Sequence, residues 1–141
     1  MKLTITSCPM WAATVEDRPS GLAEKLEALV AAGARLEFVL GRRLAEKPGS
    51  GVLFVTPLTG APLRRAANRA GFLQSNGLHC LRIEGIARPG LAARLTRRLG
   101  DAGINLRGFA ASAIGRRLVA HLAFDDVDDL RRAARLLRHL P

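Results

Sequence analysis

A glycine-led amphipathic segment occurs twice in this chain, about half its length apart, and a self-match at that period restricts the fold to one structural unit built twice. The first copy reads Val15-Glu16-Asp17-Arg18-Pro19-Ser20-Gly21-Leu22-Ala23 and closes on Ala31-Ala32-Gly33-Ala34-Arg35-Leu36. The second reads Glu84-Gly85-Ile86-Ala87-Arg88-Pro89-Gly90-Leu91-Ala92 and closes on Asp101-Ala102-Gly103-Ile104-Asn105-Leu106. Gly21 and Gly90 stand 69 positions apart, and Gly33 and Gly103 stand 70 apart. In 141 residues there is room for two such units and little else. A domain of that size buries only roughly 60% of its unfolded surface, so the pair is expected to pack together. With 48% hydrophobic residues the chain can build cores, which argues against disorder.

The hydrophobic periods give the same element order in both copies. Residues 10–16 read as a strand with Trp11, Ala13 and Val15 on one face. Asp17 or Ser20 is placed to cap a helix in which Leu22, Leu26, Leu29 and Val30 form one stripe, ended by Gly33 in the left-handed conformation. Residues 36–40 and 52–56 read as a hairpin around the Lys47–Gly51 loop, a weaker helix follows over 61–70 with Leu63, Ala66, Ala67 and Ala70, and 72–74 make a short closing strand. Ser75-Asn76-Gly77 reads as the linker. Then come a strand over 78–86, a helix marked by Leu91, Leu95 and Leu99 and ended by Gly103, and a hairpin of 104–113 with 117–124. A last helix over 126–140 carries Val127, Leu130, Ala134 and Leu137 on one side, with acids at its start and bases at its end.

This pattern predicts an α+β protein of two ferredoxin-like βαββαβ units in tandem, with antiparallel sheets and helices on one face. The units are expected to span 1–74 and 75–141. The second has no segment of its own for a fourth strand, and residues 2–6, where Leu3 and Ile5 alternate with polar residues, are expected to supply it.

Cys8 and Cys80, one in each repeat, read as structural thiols; neither has a partner at metal-ligand spacing, and His79 points away from its neighbour Cys80 on a strand. The net charge of +10 attracts anions without naming one. No segment is long and apolar enough to span a bilayer and no signal-peptide core forms, so a cytoplasmic location is the default expectation.

The run Arg-Pro-Gly-Leu-Ala, followed by a leucine-striped helix and Ala-Gly-Ile-Asn-Leu, resembles the ACT domain family, strongly over 84–106 and moderately over 15–36. Such domains are small ferredoxin-like modules that bind amino acids and regulate metabolic enzymes. The resemblance implies a ligand near the loop between first strand and first helix. Here that loop holds Arg88, Pro89, Gly90 and Leu91, and in the first copy Arg18, Ser20, Gly21 and Leu22. It also implies a role for Ile104 and Asn105 after the helix. The physics is compatible, since free N–H groups and the positive dipole end at a helix start favour a carboxylate, and glycine lets backbone approach it. Two departures stand out: Ala87 replaces the acid present as Asp17, and Arg35 stands where Asn is expected. The first copy also carries Ser20 between proline and glycine, as an insertion would.

The same residues have a purely structural reading, with Gly21 and Gly90 allowing a tight turn and Asn105 bonding the backbone. The arginines of 94–98 and 131–138 read as solvated helix faces. No nucleophile–base–orienter set is visible, so catalysis is not expected. No cofactor is implied. The expectation is a regulatory protein, acting as a homodimer or on a metabolic enzyme, that binds a free amino acid or similar small carboxylate at the interface between ACT-like domains. The alternatives are an RNA-binding or purely oligomerising ferredoxin-like module; against RNA stand the single aromatic, Phe124, on 117–124 and the absence of Tyr, while Phe38, Phe54 and Phe109 leave it open.

Overall fold

Apolar residues at alternate positions with polar ones between them make strands that can bury one face only, and each such strand in this chain finds an antiparallel partner. The computed structural model describes residues 2–74 and 79–140; the Ser75-Asn76-Gly77 linker and Leu78 lie outside the described residues. Two compact units result, one drawn from Pro9–Ser75 and the other from Met1–Cys8 together with Asn76–Pro141.

The contiguous unit contains strand β2 (Trp11–Glu16), helix α1 (Gly21–Ala31), β3 (Phe38–Arg43), β4 (Ser50–Thr56), α2 (Ala61–Arg69) and the two-residue β5 (Leu73–Gln74). Its antiparallel sheet has the order β3-β4-β2-β5, and its helices cover one face. Trp11, Ala13 and Val15 meet Leu53, Val55, Leu29, Leu63, Ala67 and Phe72 in one buried cluster. Strand β3 begins two residues later than the periodicity indicates, because Glu37 donates to the Thr56 carbonyl at the loop edge and pairing starts at Phe38.

The second unit contains β6 (His79–Ile86), α3 (Leu91–Asp101), β7 (Leu106–Ile114), β8 (Arg117–Phe124) and α4 (Val127–Leu137). The outer place beside β6 is taken by β1 (Thr4–Ser7), whose register runs from Thr4 opposite Glu84 to Ser7 opposite Leu81. The sheet order β1-β6-β8-β7 therefore matches that of the contiguous unit strand for strand. Leu91, Leu95 and Leu99 are buried against Leu81, Ile83, Ala120, Leu122 and Phe124, and Ala133 and Leu137 seal the cluster from α4. Asp126 caps α4 by accepting from the Asp129 N–H at 2.8 Å. Among the described residues no helix is long and apolar enough to cross a membrane.

Of the stripe expected on α1, Leu26 and Leu29 meet the core and Leu22 and Val30 do not. Leu22 is 44% exposed and Val30 64%, whereas Gly21 and Leu29 are buried, with Leu26 packed at the cluster's edge. Between Gly21 and Leu29 lies Lys25, whose Nζ donates to the Ala70 carbonyl. A helix face recurs every three or four residues, so 21, 25 and 29 form one row. That row is the counterpart, 70 residues earlier, of Leu91, Leu95 and Leu99. Val127 is likewise exposed on α4, where Ala133 is buried in its place. Cys8 and Cys80 do not lie one in each unit, since both belong to the sheet that contains β1 and β6.

Candidate functional site

The two strand-to-helix loops have nearly identical backbones. Gly21 N–H donates to the Arg18 carbonyl at 3.1 Å, and Leu91 N–H donates to the Arg88 carbonyl at 3.1 Å. One residue earlier, Ser20 at φ 71° and Gly90 at φ 80° are both left-handed and hold the N-cap positions. Glu24 N–H then reaches the Ser20 carbonyl at 3.0 Å, and Arg94 N–H the Gly90 carbonyl at 2.9 Å. The structural counterpart of Gly90 is therefore Ser20, and that of Leu91 is Gly21. From these loops through the helices to Gly33 and Gly103 the copies match at 70 residues, and Ser20 is no insertion.

Residue 21 is glycine for a different reason from residue 90. A Cβ at Gly21 would lie 2.4 Å from the Glu16 carbonyl oxygen, because this helix start presses on the end of its strand. A Cβ at Gly90 would meet nothing within 4 Å. Ser20 donates and accepts no capping bond through its side chain, and Asp17 caps nothing either, pairing with Arg43 at 2.9 Å.

Charge separates the loops further. In the first, Arg18 is held by Glu16 and Glu24, each at 2.6 Å, and also donates to the Pro19 carbonyl. The hydrogen bond it donates to Glu24, then that to Glu16, pushes its pKa above even the usual arginine value. With Asp17 adjacent and Glu24 in the first helical turn, the charge of Arg18 is met by carboxylates of its own loop and helix. In the second loop, residue 87 is alanine and the first turn of α3 has no acid. Arg88, Pro89 and Gly90 are exposed, and the Ala87 N–H is fixed on the Arg116 carbonyl at 2.7 Å, which ties the loop to the β7–β8 turn. The nearest carboxylate on β6, Glu84, is engaged by Arg82 and Arg117.

Register places the remaining candidates. Ile86 pairs with Arg117, so the Arg88–Gly90 loop lies at the β7–β8 turn end of the sheet. Leu106 pairs with Phe124 at the other end, and Asn105 stands just before it. The 11 residues of α3 separate the two by about 16 Å at 1.5 Å per residue. One unit thus brings Arg88, Pro89 and Gly90 together, and Arg18, Ser20 and Gly21 in the other, but sets Asn105 apart. Leu91 and Ile104 are 1% and 4% exposed and sit in the core, so only their backbones are available to a ligand. Leu22 is exposed beside its loop, at the position that Ala92 holds in the second copy. The lack of an acid at residue 87 was visible in the sequence, but the pairing of Ser20 with Gly90 was not.

Away from the loops, a shallow cleft between α3 and α4 is lined by Arg98, Arg132, Arg135 and His139, with Arg132 bound to the Ala102 carbonyl at 2.7 Å. Among the described residues no three His, Cys, Asp or Glu side chains gather as a metal site would require.

No protein-family model matches the chain, and no curated protein sequence does. Solved structures do. The regulatory subunit of aspartate kinase from Thermus thermophilus, in its ligand-free form, superposes with a TM-score of 0.68 at 12% identity, over 99% of this chain and 97% of that one. A protein from Bacteroides thetaiotaomicron gives 0.68 at 15% identity, over 96% and 88%. Aspartate kinase from Clostridium acetobutylicum gives 0.63 at 11% identity, over 98% of this chain but 33% of that one. At these identities the shared property is the fold, two ferredoxin-like units in tandem.

Proposed function

We propose that this chain is a non-catalytic regulatory protein that binds a free amino acid or a similar small carboxylate, and that the Arg88-Pro89-Gly90 loop receives the carboxylate. The observation that carries the reading is the contrast between two loops of one backbone geometry. The first neutralises its arginine internally, whereas the second leaves Arg88 exposed beside an open left-handed glycine at a helix start with no acid in its first turn. A helix N-terminus with a nearby guanidinium is the arrangement that favours a carboxylate. Leu22 and Ser20 belong to the loop that on this reading is structural.

Asn105 stands at the far end of its own unit, so it joins an Arg88 loop only when two ACT-like units meet head to tail. A homodimer supplies such a meeting, with Asn105 of one copy facing the loop of the other. A ligand bridging two copies would favour the assembled arrangement by its differential affinity, and a regulated enzyme could read that change. Stacking of RNA bases is less well supported. Phe124 and Trp11 are buried, which leaves Phe109, at 41% exposure, as the most open aromatic.

The test is thermal melting of the full chain against the twenty amino acids at millimolar concentration. A ligand at 100 times its Kd adds about 2.7 kcal/mol, a shift of several degrees. Arg88→Ala should abolish that shift and Arg18→Ala should leave it intact. No shift with any amino acid, or equal loss in both variants, would remove the second loop as the site.

A further inference from the structure

The two cysteines, 72 positions apart in sequence, end up side by side. The register of β1 on β6 continues one step past Ser7 and Leu81, setting Cys8 directly opposite Cys80, and the Cys8 N–H donates to the Cys80 carbonyl at 2.9 Å. Residues opposite each other in an antiparallel pair point to the same face. Both side chains are buried, at 8% and 1% exposure, and both are unbridged thiols. From this geometry we propose that Cys8 and Cys80 form a reversible intramolecular disulfide, by exchange with a small-molecule disulfide of the glutathione type, that fastens β1 to β6.

The backbone is already within reach. Cα atoms of a hydrogen-bonded antiparallel pair are about 5.5 Å apart, inside the range a disulfide spans. Cβ atoms in such pairs are typically 4.5–5.5 Å apart, against about 3.8 Å across a disulfide, so closing the bond draws the strands together. A bridge formed under that constraint is easily reduced, which suits a reversible link more than a permanent staple.

The chemistry has a natural order. Cys8 is the more exposed of the two and sits at the end of a four-residue edge strand, the kind of element that opens locally at low cost. The hydrogen bond with Cys8, followed by burial, holds the Cys80 thiol well above its ordinary pKa, and Cys8, the more exposed sulfur, is the one an oxidant reaches first. The Cys8 thiolate attacks one sulfur of the oxidant, forming a mixed disulfide and expelling one thiolate. Cys80 then gives its proton to solvent, attacks the Cys8 sulfur and expels the second thiolate. Two cysteine thiols are oxidised, one small disulfide is reduced to two thiols, and nothing else is consumed.

The experiment is to equilibrate the reduced, folded full chain with glutathione disulfide and map its peptides without reduction. The expected product is a monomer two hydrogens lighter, with the Cys8 and Cys80 peptides cross-linked and the link reversed by dithiothreitol. Cys80→Ser should stop at the glutathione adduct on Cys8. Recovery of both thiols unmodified, accumulation of the same adduct in wild type as in Cys80→Ser, or a cross-link between two chains would each overturn the proposal.

Discussion

Alanine at Gly21 and alanine at Gly90 are the same chemical change at positions that look equivalent in sequence, and the structure predicts unequal costs. At Gly90 the added methyl meets nothing, and the loss comes from holding a non-glycine residue at φ 80°. A left-handed residue costs about 1–2 kcal/mol, of which roughly 0.4–1 is returned because alanine has less freedom to lose on folding. The net destabilisation is about 0.5–1 kcal/mol. At Gly21 the new Cβ would lie 2.4 Å from the Glu16 carbonyl oxygen, a backbone atom that cannot rotate away. Relieving that overlap means moving the helix start off the strand end, an overpacking change of about 1–3 kcal/mol that entropy offsets only in part. Ser20→Gly is the complement and should stabilise by roughly 0.5–1 kcal/mol, since it removes the left-handed strain. Trp11, the single tryptophan, is buried in the unit that holds Ser20 and Gly21, so its fluorescence in urea reports that unit directly; circular dichroism follows both units, and its change beyond the Trp11 transition reports the other. Equal midpoint losses for Gly21→Ala and Gly90→Ala, or a Ser20→Gly variant less stable than wild type, would refute the 70-residue superposition of the loops.

Further outcomes follow from β1 and its neighbours. Thr6 lies opposite Arg82, two residues from the Cys8–Cys80 hydrogen bond and so in the same hydrogen-bonded phase of the ladder. Thr6→Pro should therefore lower the melting of the β6 unit while the Trp11 signal is unchanged, and Ser7→Pro, whose N–H faces outward, should cost less. Because the Cys80 pKa is raised in the fold, its contribution to stability is complete below the ordinary thiol value of about 8.5 and is lost as pH rises above it. Reduced wild type should thus lose stability between pH 8 and 10 more steeply than Cys80→Ala, as read by urea midpoints at each pH. Asp126→Ala removes the acceptor for the Asp129 N–H and should cost about 1 kcal/mol.

Much of the architecture could be read from local pattern. Gly33 and Gly103 end their helices at φ 95° and 74°, as their positions after leucine stripes indicate, and both hairpins and the Leu91-Leu95-Leu99 row form as their periods require. The errors at the two loops have one physical origin. Matching glycine to glycine paired Gly21 with Gly90, but the backbone repeats by conformation, and a serine fills the left-handed place in the first copy. On α1 the row facing the core is Gly21, half-buried Lys25 and Leu29, while Leu22 and Val30 face solvent. No propensity would have chosen a row containing a lysine and a glycine. The balance of charge at the two loops depends on side chains from distant strands, such as Arg43 on Asp17 and Arg117 on Glu84, and sequence spacing carries no sign of it. The approach of Cys8 to Cys80 likewise exists only through the long-range register of β1.

That register also sets an order of events during synthesis. The contiguous unit can fold as soon as its last residues clear the ribosome, whereas β1 emerges before it and has no sheet to join until β6 and its neighbours follow. At about 5–20 residues per second, the 72 positions from Cys8 to Cys80 keep β1 unpaired for several seconds, with an unfinished edge exposed throughout. Its four residues include two threonines and a serine, a composition too polar to make that waiting strand an attractive template for other chains.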